Sequence, residues 1–109
     1  MAYFKLKKTK NQQYMFNLVA DNGEVTLTSE TYTRRSGARN GISSVKTNAP
    51  TDSRYDRRTS GKQFYFVLQA ANSKVIGTSE RYTRSQSMER GIASVKREAP
   101  DAPVRDLTS

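Results

Sequence analysis

An internal duplication constrains the fold of this chain more than any other feature of its sequence. Residues 14–50 align with residues 64–100 without gaps at an offset of 50, and 18 of the 37 aligned positions are identical. A repeat of this kind is a supersecondary unit that cannot bury its apolar face alone. A unit of about 50 residues is also near the size at which independent folding becomes marginal. The two copies are therefore predicted to share one hydrophobic core and to be related by a pseudo-twofold axis.

Each copy contains alternating apolar residues, which is the pattern of a half-buried strand. The alternating positions are Tyr14, Phe16, Leu18 and Ala20 in the first copy and Phe64, Phe66, Leu68 and Ala70 in the second. Asn22-Gly23 then gives a strong hairpin signal, whereas Asn72-Ser73 lacks the glycine that the tight turn favours. Further strands are predicted over residues 3–7, 24–29, 54–58, 74–79 and 104–107.

After each hairpin the apolar spacing becomes helical, as in an amphipathic helix that lies on a sheet. The stripe positions are Ala38, Ile42, Val45 and Ala49 in the first copy and Met88, Ile92, Val95 and Ala99 in the second. Thr33 and Thr83 are predicted to be N-cap residues. Gly41 and Gly91 are interpreted as small residues that let each helix approach the strands closely, and the prolines after Ala49 and Ala99 are predicted to end the helices.

These elements predict an α+β fold: a tandem repeat of two β3-α-β units that form a single antiparallel sheet, with two helices packed on one face. The terminal strand of each unit is short and polar, so the C-terminal strands are predicted to be swapped between the units. Residues 1–109 are taken as one domain, with repeat 1 at 3–52, repeat 2 at 53–102 and a terminal strand and tail at 103–109.

The composition excludes several classes of function. Without cysteine or histidine, the chain has no thiolate metal ligand, no cysteine nucleophile and no imidazole base. No catalytic residue, metal site or cofactor is predicted, and we expect a protein that is not an enzyme. No apolar stretch approaches the ~20 residues of a membrane span. The expectation is a cytoplasmic monomer that does not bind membranes.

Both copies carry a TSE-x-YT-R motif followed by GI-x-SVK and AP, and this combination resembles the YegP-like family of small bacterial tandem-repeat proteins. The matching residues of the first copy are Thr28, Ser29, Glu30, Tyr32, Gly41, Ile42, Ser44, Val45, Lys46, Ala49 and Pro50, and the second copy repeats them 50 positions later. The resemblance implies two β3-α-β units joined into one sheet with swapped C-terminal strands. It implies no activity, because the molecular function of the family is unassigned.

The repeated motif supplies the one candidate polar cluster: Ser29, Glu30 and Tyr32, with Ser79, Glu80 and Tyr82 in the second copy. We favour a structural interpretation, in which each glutamate interacts with a helix dipole and each tyrosine packs under a helix with its hydroxyl at the edge. A binding site is the alternative interpretation. Catalysis through the glutamates and tyrosines is a further hypothesis.

The net charge of +9 predicts association with anions. It is +5 for residues 1–50 (8 basic, 3 acidic) and +4 for residues 51–109 (11 basic, 7 acidic), so the excess is not a basic tail. Candidate anion-binding residues on the predicted helices and their approaches are Arg34, Arg35, Arg39, Lys46, Arg81, Arg84, Arg90, Lys96 and Arg97. The first hypothesis is low-specificity binding of nucleic acid or another polyanion through these side chains. The alternative is that they form only the solvated helix faces.

The other face of the sheet is predicted to be partly apolar. Its candidate residues are Met15, Val19, Tyr65 and Val67, to which Tyr3, Tyr55, Arg57 and Arg58 could add. Such a face could be an open platform or a contact surface for an acidic or other protein. A protein–protein adaptor is therefore the second hypothesis for the function.

Overall fold

A computed structural model describes residues 1–108, which form seven strands and two α-helices. The elements in chain order are β1 (Tyr3–Lys8), β2 (Tyr14–Val19), β3 (Val25–Ser29), α1 (Arg35–Asn48), β4 (Tyr55–Ser60), β5 (Gln63–Gln69), β6 (Val75–Thr78), α2 (Ser85–Glu98) and β7 (Val104–Asp106). The predicted tandem α+β organisation is confirmed. No helix in the described part of the chain is long and apolar enough to cross a membrane.

The strands form one sheet in the order β4-β5-β6-β3-β2-β1-β7. Each repeat contributes a three-stranded antiparallel meander. The meanders join through β3 and β6, where Thr28 lies opposite Thr78 and Ser29 opposite Gly77. The third strands of the two repeats therefore lie at the centre of the sheet, as a pseudo-twofold relation between the copies requires.

The sheet is mixed rather than antiparallel throughout, because β7 pairs with β1 in parallel. The duplication gives the reason. β7 follows α2 as β4 follows α1, so both segments reach the sheet in equivalent directions. β4 occupies the place next to β5, but the corresponding place next to β2 is taken by β1. β7 therefore adds one place further out and runs in the same direction as β1. The predicted exchange is found at this edge, since the strand that follows repeat 2 pairs with the first strand of repeat 1.

Both helices lie on one face of the sheet and bury the predicted apolar stripe. All eight stripe residues, from Ala38 to Ala99, are at most 4% exposed. Each helix packs against both repeats: α1 contacts β2, β5 and β6, and α2 contacts β5 and β3. One core cluster consequently contains side chains from both copies, including Phe4, Phe16 and Phe66.

The helix N-caps differ from the prediction. The N-cap positions are Arg34 and Arg84, one residue after the predicted threonines, and neither helix has a side-chain cap hydrogen bond. Two backbone hydrogen bonds close the start of α1, from the N–H groups of Gly37 and Ala38 to the Arg34 carbonyl. The helices start without the cap that the threonines were expected to provide.

Candidate nucleic-acid interface

The serines of the repeated motif form hydrogen bonds within the sheet. Ser29 Oγ accepts a hydrogen bond from the Phe16 N–H at 2.9 Å and donates one to the Glu30 carbonyl at 2.7 Å. Ser79 makes the equivalent bonds with Phe66 and Glu80, at 2.9 and 2.8 Å. Because buried backbone groups need partners, this local hydrogen bonding accounts for a serine at both positions.

The tyrosines of the motif lie under the helices. The Tyr32 ring stacks on Phe16, with ring centroids 6.4 Å apart. A Cβ on Gly41 would overlap the Tyr32 hydroxyl, and one on Gly91 would overlap the Tyr82 hydroxyl. Burial, together with the nearby Glu80 and Glu24 carboxylates, raises the pKa of Tyr82 to about 12. The phenol is therefore neutral at physiological pH and is a poor general base.

The glutamates of the motif do not occupy the first helical turns, which contain no acidic residue. A helix dipole acts within the first turn, and the interaction of these preceding glutamates with the helix dipoles stays a prediction. Glu80 borders a groove of about 170 Å³ that Glu24, Tyr82 and Arg90 also line. Burial, and secondarily the Glu24 carboxylate, raise the pKa of Glu80. Within residues 1–108, no cluster of three or more acidic side chains is arranged to hold a metal ion.

Several of the basic residues predicted on the helices form ion pairs with nearby carboxylates. Arg35 and Arg39 approach Asp106 at 3.4 and 2.9 Å. Lys96 binds Asp52 at 2.6 Å.

Other predicted basic residues make weaker contacts. Arg97 lies 3.9 Å from Glu98, and the Lys46 ammonium lies 5.8 Å from the centre of the Phe4 ring. Arg34, Arg84 and Arg90 make no ion pair within residues 1–108. The predicted residues thus divide into some that pair with carboxylates and others that do not, and anion binding through them stays a prediction.

The sheet face opposite the helices carries a different set of basic side chains. Phe4 and Leu6 of β1 belong to the core under the helices. Successive side chains of a strand point to opposite faces, so Tyr3, Lys5 and Lys7 lie on the other face. We call this surface the open sheet face.

The second repeat adds to the open sheet face through β4 and β5. Tyr55 and Phe66 belong to the core, which places their strand neighbours Asp56 and Tyr65 on the open sheet face. Arg58 is paired across the strands with Tyr65, so it lies on this face too. The Arg58 guanidinium binds Asp56 at 2.8 Å.

Two guanidinium groups lie over tyrosine rings on the open sheet face. Arg105 of β7 is centred 3.9 Å from the centroid of the Tyr3 ring. The guanidinium of Arg81, which follows β6, is centred 4.4 Å from the centroid of the Tyr65 ring. The open sheet face thus combines five basic side chains, namely Lys5, Lys7, Arg58, Arg81 and Arg105, with two tyrosines. Among the strand residues of this face within residues 1–108, one side chain is acidic, that of Asp56.

Tyr55 and Arg57 do not belong to the open sheet face, although the sequence suggested that they could add to it. Tyr55 is 5% exposed, in the core, and its hydroxyl donates to the Ala49 carbonyl at 2.7 Å. Arg57 points to the helix side and binds Glu89 of α2 at 2.6 Å. The prediction for both is wrong because the pairing of β4 with β5 fixes which side chains of β4 face the helices.

Of the four residues predicted to form an apolar contact surface, Met15 and Tyr65 are half-buried and the two valines are buried. Val19 and Val67 are 7% and 2% exposed, because neighbouring side chains of the sheet cover them. The large apolar side chains that remain exposed in residues 1–108 are Met1, Val25 and Leu107. They lie on separate segments, in contrast to the contiguous patch that marks a protein-binding surface.

Sequence reasoning missed Lys5, Lys7 and Arg105 as functional candidates and placed Arg81 with the helices. The alternation of Phe4 and Leu6 was a signal that could have placed the two lysines on the open face. Arg105 had no such signal, because its position depends on the parallel pairing of β7 with β1.

Residues 9–56 and 60–106 each match the family described as "Domain of unknown function (DUF1508)". Because the two matches span most of the chain, the chain belongs to this family. The family resemblance predicted from the repeated motif is thereby confirmed.

The chain is similar to UPF0339 proteins of several bacteria. It is 48% identical over 56 residues to the UPF0339 protein YegP of Yersinia pestis. This alignment covers 51% of this chain and 50% of that protein. It is 56% identical over 54 residues to a UPF0339 protein of Shewanella oneidensis, 50% of this chain and 49% of that protein. The chain thus spans about half the length of the curated relatives it matches.

Solved structures match over almost the whole chain. The solution NMR structure of yegP from E. coli, described as a protein of unknown function, has a TM-score of 0.93 at 45% identity and covers 99% of this chain and 94% of that one. The solution NMR structure of the Shewanella oneidensis UPF0339 protein SO3888 has a TM-score of 0.93 at 44% identity, with 98% and 92% coverage. The fold is therefore that of the YegP-like proteins, a family of unknown function.

Proposed function

We propose that this protein binds polyanions, and nucleic acid in particular, through the open sheet face and without catalysis. The observation that carries the proposal is the concentration of five basic side chains and a single strand carboxylate on that face. A surface of one dominant sign attracts phosphate groups over several ångströms.

The contrast with the helix side supports this choice of surface. On the helix side, carboxylates of Asp52, Glu89 and Asp106 pair with arginines and a lysine. A phosphate would have to displace those carboxylates before it could bind the same cations. Among the described residues of the open sheet face, Arg58 pairs with Asp56. Within residues 1–108, the other cations of this face have no carboxylate that a phosphate would have to displace.

Binding of this kind depends on salt, because phosphate contacts release the counterions that surround the nucleic acid. The logarithm of the binding constant is expected to fall with the logarithm of salt concentration, with a slope of roughly −0.7 per phosphate contacted on a single strand. Four or five contacts would give a slope of about −3. Fluorescence anisotropy of a labelled oligonucleotide, measured between low and physiological salt, determines this slope.

A matched pair of triple variants separates the two surfaces. Lys5→Gln, Lys7→Gln and Arg105→Gln remove three charges from the open sheet face, whereas Arg34→Gln, Arg84→Gln and Arg90→Gln remove three from the helix side. The net charge of the two variants is equal. We expect the first variant to lose at least about tenfold in affinity and roughly 2 units of salt slope, and the second to keep most of the wild-type affinity. Equal losses in both variants, or no binding by the wild type at low salt, would contradict the proposal.

A further inference from the structure

We infer that the open sheet face prefers unpaired bases, and that its two guanidinium–tyrosine pairs are the base-stacking positions. This inference rests on the proposed function, since it names the class of nucleic acid that the same face would bind. The observations that carry it are the positions of Arg105 over Tyr3 and of Arg81 over Tyr65.

Each pair places a guanidinium within stacking distance of an aromatic ring. The Arg105 guanidinium carbon lies 3.9 Å from the ring centroid of Tyr3, and that of Arg81 lies 4.4 Å from the ring centroid of Tyr65. Arg81 and Arg105 are both exposed. Guanidinium planes and aromatic rings are the side-chain groups on which proteins stack single-stranded bases. A base could therefore extend each stack from tyrosine through arginine.

The two stacks lie on one line across the sheet. Lys5, Asn17, Thr28, Thr78 and Val67 form a continuous cross-strand row. Tyr3 and Tyr65 each precede a member of this row by two residues, on strands that run in the same direction. They consequently lie on the same side of the row, four strand places apart, or about 19 Å.

The row between the stacks offers polar groups to a sugar–phosphate backbone. Lys5 supplies a positive charge, and Thr28 and Thr78 supply hydroxyl groups at the middle of the sheet. Asn17 is only 7% exposed, and its side-chain amide donates to Thr28 Oγ1 at 3.0 Å. A strand that crosses the sheet would meet a stacking position at each side and polar groups between them. In a duplex the bases stack on one another and are not available to these surfaces, so a duplex would use the charges alone.

The experiment compares a labelled 15-nucleotide oligothymidine with a duplex of the same length by fluorescence anisotropy at one low salt concentration. Arg81→Lys combined with Arg105→Lys keeps both charges but removes both planar groups. Arg34→Lys combined with Arg84→Lys is the matched control on the helix side. Because all four arginines are exposed, circular dichroism and the melting temperature should be the same for the three proteins.

We expect the wild type to bind the single strand at least about tenfold more tightly than the duplex, since stacking contributes roughly 1–3 kcal/mol per base. The Arg81→Lys, Arg105→Lys variant should lose that preference while its duplex affinity stays within about twofold. The control should keep the preference. The chain has six tyrosines and no tryptophan, so quenching of tyrosine emission by the single strand, reduced in Tyr3→Leu with Tyr65→Leu, is a second readout.

Equal affinity of the wild type for single strand and duplex would overturn this inference and leave the proposed polyanion binding intact. A preference that survives the Arg81→Lys, Arg105→Lys substitutions would overturn the assigned stacking positions. Failure to bind either nucleic acid at low salt would overturn both the inference and the proposed function.

Discussion

At the residue scale, the two hairpin turns adopt the same backbone conformation with different residues. Gly23 has a φ of 87° and Ser73 a φ of 70°, so both are in the left-handed region. The sequence left the second turn in doubt because serine replaces glycine there. The turn forms nonetheless, and the Asn22 and Asn72 side chains each accept a hydrogen bond at 3.0 Å from the backbone N–H two residues on. The Asn-centred turn thus outweighs the conformational cost of the serine.

Ser73→Gly is expected to stabilise the protein by about 0.5–1 kcal/mol. A left-handed conformation costs an L-residue about 1–2 kcal/mol, which is partly offset by the greater freedom of glycine in the unfolded chain. Gly23→Ser is the matched control and should destabilise the protein by a similar amount, since a Cβ at Gly23 meets no atom within 4 Å. The midpoint of urea unfolding measures both. Shifts of the same sign would refute the explanation.

A second residue-scale prediction concerns Gly41. Gly41→Ala improves helix propensity by about 1 kcal/mol, but the added Cβ overlaps the Tyr32 hydroxyl and lies 3.0 Å from the Phe16 ring. We expect a net loss of about 1 kcal/mol from overpacking. Gly91→Ala should be less harmful, because the Phe66 ring is 3.4 Å away. Tyr32→Phe should recover part of the loss in the Gly41→Ala background, and denaturant unfolding of the double-mutant cycle tests this.

At the scale of elements, β7 is a three-residue strand with few backbone hydrogen bonds of its own. Asp106, the last residue of β7, connects the strand to helix α1. Asp106 accepts hydrogen bonds from the Thr108 N–H at 2.9 Å and from Arg39 at 2.9 Å, and Arg35 lies 3.4 Å away. The same contacts pair one carboxylate with two of the arginines that the sequence suggested for anion binding.

The hydrogen bonds from Thr108, followed by Arg39 and the charge of Arg35, lower the pKa of Asp106 from 3.8 to about 2. A carboxylate whose pKa is lower in the folded state stabilises the fold above its unfolded pKa, and this contribution is lost as pH falls through the folded pKa. Asp106→Asn should therefore lower the melting temperature at pH 6, and the difference from wild type should shrink between pH 4 and pH 2. A difference that is constant across this range would show that the charge of Asp106 does not stabilise the fold.

At the scale of the whole molecule, the two repeats fold as one unit because neither contains a complete core. α1 packs on β5 and β6 of the other copy, and α2 packs on β3. The packing at the centre is close: a Cβ on Gly77 of β6 would lie 2.9 Å from the Leu27 side chain of β3. Removal of either copy would expose the inner surfaces of the other.

Residues 1–50 produced alone are therefore expected to lack a cooperative thermal transition, and residues 51–109 likewise. Circular dichroism of each fragment during heating measures this. An equimolar mixture should regain helical signal if the fragments associate through β3 and β6. A soluble, monomeric and cooperatively melting fragment 1–50 would contradict the shared-core architecture.

The helices could be predicted to within a few residues, since the stripe from Ala38 to Ala49 recurs in the second copy and every member is buried. The strands with alternating apolar residues could be predicted from the sequence equally well. The caps were not, because Arg34 and Arg84 begin the helices with backbone bonds that leave no side-chain signal. Anion binding through the helix residues stays a prediction, and the sequence also placed Tyr3, Tyr65 and Arg58 on the other face of the sheet, where the structure has them.

The sequence by itself determined the duplication, the hydrophobic face of each element and the excess of positive charge, because these depend on residue type and on spacing along a strand or helix. Tertiary structure alone decided which cations pair with carboxylates and which stack on aromatic rings. The parallel addition of β7 brings Asp106 to Arg35 and Arg39 and sets Arg105 on Tyr3. Such pairings depend on distances between residues far apart in the chain. Coulomb attraction and stacking both act within a few ångströms in space, whatever the separation in sequence.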